Sequence, residues 1–232
     1  MAGTREVALA TIELDRVSVE FDGRPVLHDV TLELNAPTIA VIGANGSGKS
    51  TFARLLNGLV APTSGSVSVH GLDTVRDRAS LRRRAGFVFT NPDAQILMPT
   101  PAEDLALSLR GRPRAEVAGL VRATLEAHGL GDHADVPASS LSGGQKQMLA
   151  LASVLITEPA LIVADEPTTL LDLRNSRRIG DLLLAQEAQV VVVTHDLELA
   201  ARCEFAVLFD DGRVGAAGEP HTVIETYRRA CA

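Results

Sequence analysis

The sequence predicts an α/β fold: a mainly parallel sheet covered on both faces, with an antiparallel β subdomain ahead of it and a helical subdomain inserted in it. Three observations lead there. Short branched apolar runs alternate with longer segments of helical period, the pattern of strands buried between covering helices. The first part of the chain instead alternates apolar and polar residues, as half-buried antiparallel strands do. Between Thr100 and about Pro137, apolar residues recur at helix spacing. At 232 residues the chain has the length of one well-cored domain with small subdomains. A single domain over residues 1–232 is therefore expected, with the helical insert at about 91–140.

Taken in order, residues 9–34 carry LATIEL, VSVEF and VTLEL, separated by the turn formers Asp22-Gly23 and Asp29, and read as an antiparallel sheet. Ile39–Ile42 is a buried strand running straight into a glycine loop, and the periodic segment from Lys49 to Leu59 follows as a helix. Pro62-Thr63-Ser64-Gly65 breaks the chain, and Val67–Val69 and Gly86–Phe89 return as strands. AEDLALSLR and AEVAGLVRATLEAHGL supply the helices of the insert. A helix then opens at LSGGQ, followed by a strand at Leu161–Ala164, a helix from about Leu173 to Gln186, and strands at Val190–Val193 and Phe205–Phe209. The turn Asp210-Asp211-Gly212 and a short helix near residues 220–229 close the chain.

Composition excludes several classes. Lys and Arg total 22 against 29 Asp and Glu, a net charge of −7, and no basic tract offers a nucleic-acid footprint. Arg82-Arg83-Arg84 is the densest basic cluster and reads as a solvated helix face. Cys203 and Cys231 lack metal-ligand spacing and are too few to staple a domain of this size, which points to a reducing compartment. The apolar run Val7–Ile12 is cut short by Glu13 and is no secretory signal. The stretch Met148–Ile156 is about half the roughly 20 residues needed to cross a bilayer. Work at a membrane would have to pass through partners.

The chemistry concentrates at strand ends. Gly43-Ala44-Asn45-Gly46-Ser47-Gly48-Lys49-Ser50, with Thr51 following, lies between a buried strand and a helix, the context a phosphate-binding loop requires. Its glycines let backbone N–H groups approach phosphate oxygens, and the helix N-terminus favours negative charge. Lys49 is placed to reach the β and γ phosphates, and the Ser50 hydroxyl to ligate Mg²⁺. Asp165 and Glu166 end a buried strand. Side chains alternate along a strand, so the two acids can take separate tasks: Asp165 holding Mg²⁺ through its water shell, Glu166 orienting the attacking water. Ser142, Gly143, Gly144 and Gln145 begin a helix and form a second anion site of the same physical kind.

The glycine loop, Leu141-Ser142-Gly143-Gly144-Gln145 and the LIVADE strand together resemble the ATP-binding cassette (ABC) ATPases. The resemblance implies a P-loop NTPase of the ABC type, an ATP hydrolase with ATP and Mg²⁺ as cofactors. It makes His195, after the strand Val190–Val193, the switch histidine at the γ-phosphate. It also places Asp172, after Pro167-Thr168-Thr169, in the so-called D-loop. It explains two anion sites in one chain by a head-to-tail dimer, in which each signature helix closes on the ATP of the other chain. Phe21 stands where the family has an adenine-stacking aromatic, although a core phenylalanine would look the same.

One position departs from the family. Where ABC proteins have a glutamine that reaches Mg²⁺ and couples to the membrane partner, this chain has Thr90; Gln95 lies five residues on as an alternative. The segment Asn91-Pro92-Asp93-Ala94-Gln95, with Thr100, Glu103 and Asp104, is similar to the ATPases of energy-coupling factor (ECF) importers. Ala94–Thr100 and Thr168–Asn175 look most like the ATPase subunit of biotin transporters. The resemblance implies a second ATPase chain, the same or a similar one, a transmembrane coupling protein and a membrane substrate-binding subunit, on the cytoplasmic face of the cell membrane, with no nucleic acid. It leaves biotin, another vitamin, and cobalt or nickel as cargoes. A soluble ABC ATPase or an ATP-sensing module is the reading from another class.

Overall fold

Two sheets and a helical layer enclose the glycine loop in the computed structural model, which describes residues 11–231. Leu9 and Ala10, the start of the first predicted strand, lie outside the described residues. Strands β1 (Ile12–Phe21), β2 (Arg24–Leu34), β4 (Ser64–Val69) and β5 (Leu72–Asp73) form an antiparallel sheet in the order β2-β1-β4-β5. Strands β3 (Thr38–Gly43), β6 (Ala85–Val88), β7 (Leu161–Asp165), β8 (Gln189–Val193) and β9 (Phe205–Asp210) run parallel. Strand β10 (Arg213–Gly218) adds an antiparallel edge, and the order is β10-β9-β3-β8-β7-β6. The helices are α1 (Lys49–Leu56), α2 (Arg78–Leu81), α3 (Pro101–Ser108), α4 (Arg114–Ala127), α5 (Gly143–Leu155), α6 (Leu173–Leu184), α7 (Leu197–Ala200) and α8 (Pro220–Ala230).

The period of two along each strand divides the interior. On β3, Ile39 and Val41 face a core shared with Phe52, Leu55 and Leu56 of α1 and with the antiparallel sheet, while Ala40 and Ile42 face Val223 and Ile224 of α8. On β7 and β8, Val163, Val191 and Val193 point toward α1, whereas Ile162, Ala164, Val190 and Val192 point to the core built with α3 to α6. Both faces of these strands are covered, which is why their sequences are unbroken apolar runs. Cys203 is packed in the α8 core as a free thiol, and burial pushes its pKa up to about 12. It behaves there as a small apolar residue.

Several predicted elements are corrected. Asp29 is no turn: it sits inside β2 at φ 51°, and its N–H donates to Ser18 Oγ (3.0 Å). Leu14 pairs with Leu32, Val17 with Val30 and Val19 with Leu27, so β1 and then β2 each carry one extra residue. These bulges, at Arg16 (φ 47°) and near Asp29, keep Val17, Val19, Leu27 and Val30 facing the core. Ile12–Leu14 and VSVEF therefore belong to one strand. The insert is two α-helices, separated at Gly111–Pro113 and followed by two short 3₁₀ turns. Helix α1 ends at Leu56 and not Leu59. The edge strand β10 was not predicted: its Gly- and Ala-rich sequence has little strand character, and the pairing to β9 is made by the Asp211-Gly212 turn, with φ 44° and 72°. Arg82, Arg83 and Arg84 follow α2 and are exposed, as expected of a solvated face. Among the described residues, no helix is long and apolar enough to cross a membrane.

Candidate functional site

The glycine loop takes its shape from backbone pressing on backbone. Gly43 ends β3 at φ 144°, where a Cβ would overlap the Phe209 carbonyl oxygen and approach Ser47 Oγ to 2.9 Å. Gly48 begins α1 at φ 97°, and a Cβ there would meet Leu27 Cδ2 at 2.6 Å. On the far side, the Gly212 N–H donates to the Ser47 carbonyl (3.1 Å), and the Gly212 carbonyl accepts from the His28 N–H (2.9 Å). The β9–β10 turn thus ties the loop to the antiparallel sheet. Motif spacing does not bring this turn into the site; its signal in the sequence is the Asp211-Gly212 pair just after the strand-like run Phe205–Phe209.

Inside the loop, Ser47 is buried and its Oγ has no hydrogen-bond partner. Lys49 is buried too, and its Nζ donates to the Gly43 (2.9 Å) and Ala44 (2.8 Å) carbonyls, leaving one of three N–H groups uncommitted. Burial lowers its pKa, against the opposing pull of the Glu166 and Asp165 carboxylates. Ser50 Oγ donates to Asp165 Oδ1 (3.0 Å), bringing the two predicted metal residues into contact. Burial raises the Asp165 pKa, opposed by the Ser50 hydrogen bond and by the charges of Arg54 and Lys49.

Glu166 leaves the strand at φ 53°, which turns its carboxylate away from that of Asp165. Its Oε2 accepts from Thr169 Oγ1 (2.9 Å) and the His195 N–H (3.3 Å). Its Oε1 lies 3.0 Å from His195 Nε2 but is buried without a hydrogen-bond partner. Thr169 therefore joins the site as a residue that the motif reading had not given a task. Thr90 Oγ1 donates to the Asp165 carbonyl (2.8 Å), so its short hydroxyl is engaged with the main chain. Gln95 does not take up the missing glutamine's place. Its Oε1 accepts from the Phe89 N–H (3.1 Å), and its Nε2 donates to the Ala150 carbonyl of α5 (2.8 Å).

The second anion site stands apart. Ser142 caps α5 in a reciprocal capping box with Gln145, whose Nε2 also meets His133 Nε2 (2.9 Å). Ser142 and Gly143 are exposed, and Gly144 lies against Asn175. Among the described residues, no hydrogen bond or ion pair joins residues 142–145 to the loop 43–50. Asp172 is exposed and caps α6 through the Asn175 N–H and side chain (both 2.8 Å), which hold its carboxyl below the usual range. Phe21 ends β1 and is 47% exposed, so it is a surface aromatic and not a core one. A cavity of about 670 Å³ lies between α3 and α4, away from the loop.

These residues suit a nucleotide with Mg²⁺. The unpartnered Ser47 Oγ and the third Lys49 donor fit phosphate oxygens, and the loop N–H groups continue the same surface. Among the described residues, no group of three or more His, Cys, Asp or Glu could hold a metal alone. A cation at Ser50 and Asp165 would complete its shell from phosphate and water, as Mg²⁺ does.

Residues 27–169 match the family profile described as ABC transporter. A protein of Deinococcus radiodurans is 47% identical, covering 94% of this chain and 97% of its own length. The biotin transport ATP-binding protein BioM of Rhizobium etli is 40% identical over 95% and 99%. The energy-coupling factor transporter ATP-binding protein EcfA1 of Lactiplantibacillus plantarum is 38% identical over 86% and 74%. The solved structure of cbiO1 from Clostridium perfringens, part of the ABC transporter complex cbiONQ, superposes with a TM-score of 0.82 at 29% identity, covering 94% of this chain and 92% of that one. The chain belongs to the ABC transporter family. It has the P-loop ABC-ATPase fold and is an ATP hydrolase, related to the ATPases of ECF-type, biotin and cbiONQ transporters.

The turn that braces the loop is open to test. Gly212→Ala must keep φ 72° and set a Cβ against the Val26 carbonyl oxygen and His28 Cδ2. It is expected to weaken ATP binding by about tenfold, through displacement of the loop, while the helix and strand content seen by circular dichroism is retained. Calorimetric titration with ATP checks this, and wild-type affinity would mean the loop holds its shape without the turn.

Proposed function

We propose that the chain is the ATP-hydrolysing subunit of an ECF-type importer, working as a head-to-tail dimer on the cytoplasmic face of the membrane. The observation that carries the reading is the gathering of Lys49, Ser50 and Asp165 at the glycine loop around a buried Ser47 hydroxyl that lacks a partner, with the Glu166 carboxylate, paired to His195, close enough to act on Lys49. An unpartnered buried hydroxyl is costly, and a phosphate oxygen would supply the bond it lacks.

In this reading Gly43, Ala44, Asn45, Gly46, Ser47, Gly48 and Thr51 surround the phosphates, and Lys49 turns its free donor to the γ-phosphate. Ser50 directly, and Asp165 through the ion's water shell, would hold Mg²⁺, which would supply positive charge to the phosphate oxygens. Glu166 accepts the proton of the attacking water at Oε1, held in place by Thr169 and the His195 N–H. His195 presents its imidazole beside that carboxylate, at the γ-phosphate. Phe21 stacks on adenine. Ser142, Gly143, Gly144 and Gln145, with Asp172 near them, close on the nucleotide of the second chain. The exposure of Ser142, Gly143 and Asp172, and the separation of residues 142–145 from the loop within one chain, support an arrangement completed by a partner.

A transmembrane coupling protein and a membrane substrate-binding subunit complete the machine. The cargo is a vitamin or metal ion, and the relationship to BioM favours biotin. Cobalt or nickel is the second reading, resting on the likeness of Asn91-Pro92-Asp93-Ala94-Gln95 to the ATPases of ECF importers.

Two measurements test the proposal. Glu166→Gln should slow ATP hydrolysis by about 100-fold or more, the least expected on losing a general base. It should also leave an ATP-bound dimer visible by light scattering; unchanged turnover would remove Glu166 from this role. Purified from gently solubilised membranes, the tagged chain should carry a transmembrane coupling protein and a small membrane subunit retaining biotin. A different retained vitamin or metal would correct the cargo, and soluble partners alone would overturn the importer.

A further inference from the structure

We infer that Thr90 is a positioning residue for hydrolysis, acting by clamping the single peptide unit that joins Asp165 to Glu166. The carbonyl of that unit accepts from Thr90 Oγ1 (2.8 Å), and its N–H donates to the Val193 carbonyl (2.9 Å). The unit is thus held from both neighbouring strands, β6 through the segment that follows it and β8 directly. The inference rests on the roles proposed above for Asp165 and Glu166.

The clamp answers a problem the local geometry creates. The last β6–β7 pair is Val88 with Ala164, so the Asp165 carbonyl lies one residue beyond the parallel ladder. The next main-chain donor on that side, the Phe89 N–H, is taken by Gln95 Oε1. A side-chain hydroxyl fills the gap. Immediately afterwards Glu166 adopts φ 53°, a backbone state that a glutamate enters at a cost and holds only where its surroundings enforce it. A change of ψ at Asp165 or φ at Glu166 that the other does not compensate would alter the angle between the two side chains, so this peptide sets how the Asp165 carboxylate at Ser50 and the Glu166 carboxylate at His195 stand to one another.

Thr90 suits the task because its β-branched side chain has few rotamers, so a fixed backbone fixes the hydroxyl. The backbone is fixed: Gln95 ties Phe89 to the Ala150 carbonyl in the middle of α5, and Asp93 pairs with Lys146 Nζ (2.7 Å) at the start of the same helix. Residues 89–95 form a strap from the helix that begins at Ser142 to the peptide between the two acids. The threonine at position 90 is a brace on the acids and reaches no metal itself.

The test uses the purified full-length chain and three variants. Thr90→Val keeps the shape and removes the hydroxyl, Thr90→Ser keeps the hydroxyl, and Asp165→Asn probes the metal assignment. For Thr90→Val, kcat should fall about three- to tenfold, the range a single neutral hydrogen bond carries, with the KM for ATP within about twofold. Binding of a non-hydrolysable ATP analogue should need about three- to tenfold more Mg²⁺ for half-saturation, its affinity in EDTA being unchanged and the Tm lower by about 2–4 °C. Thr90→Ser should match the wild type in every readout. A Thr90→Val chain with unaltered kcat and Mg²⁺ dependence overturns the inference, as does Thr90→Ser failing equally, which would assign the effect to the methyl group. Mg²⁺ dependence that survives Asp165→Asn would instead strike the metal role of Asp165, and the clamp with it.

Discussion

Everything at this site depends on main-chain segments approaching one another more closely than side chains allow. The Phe209 carbonyl stands where a Cβ of residue 43 would be, the Val26 carbonyl closes on Gly48, and Gly212 hydrogen-bonds Ser47 on one side and His28 on the other. Strands from both sheets and the β9–β10 turn meet around a loop of a few residues. The glycines matter here for what they leave out. Because the contacts are main chain to main chain, the loop is shaped before any ligand arrives, and its outward N–H groups form an anion-binding surface without reorganisation.

The electrostatics follow from that packing. Lys49, Ser50 and Asp165 are carried into the core side of the sheet, where burial pushes the lysine down and the aspartate up toward their neutral forms. Their mutual attraction and the Ser50 hydrogen bond oppose this only in part. A site built with two buried charged groups and an unpartnered buried hydroxyl is less stable than an apolar core of the same volume. Phosphate and a divalent cation add the missing charges and acceptors, so the features that cost folding stability are those that make substrate binding favourable. Glu166 differs from its neighbour because its left-handed backbone takes it out of the strand, to a half-buried position where His195 and Thr169 hold it.

Much of this was legible in the sequence because it is local. A buried strand, a glycine loop and a helix are adjacent in the chain, and both acids sit at the end of an apolar run. The β-rich first segment was legible in kind but not in detail. Asp29 carries the chemistry of a turn, and only the pairing of β1 with β2 shows that it belongs to a bulge. Thr90 looked like a lost glutamine because its acceptor, the Asp165 carbonyl, lies 75 residues away and carries no sequence signature. Gln95 looked available because nothing local shows that its amide bridges Phe89 and Ala150. Long-range hydrogen bonds to main chain are invisible to spacing and motif, and they decide what the polar residues of this site are free to do.

The central claim is that the phosphate loop is rigid before nucleotide binds, held by β9, β2 and the turn between β9 and β10. Backbone ¹⁵N relaxation of the nucleotide-free chain tests it most directly. Order parameters for residues 43–49 and 210–213 are expected at about 0.85, equal to those of β3. Values below about 0.6 in the loop, with β3 and β9 remaining rigid, would show that the ligand orders the site and would contradict the account.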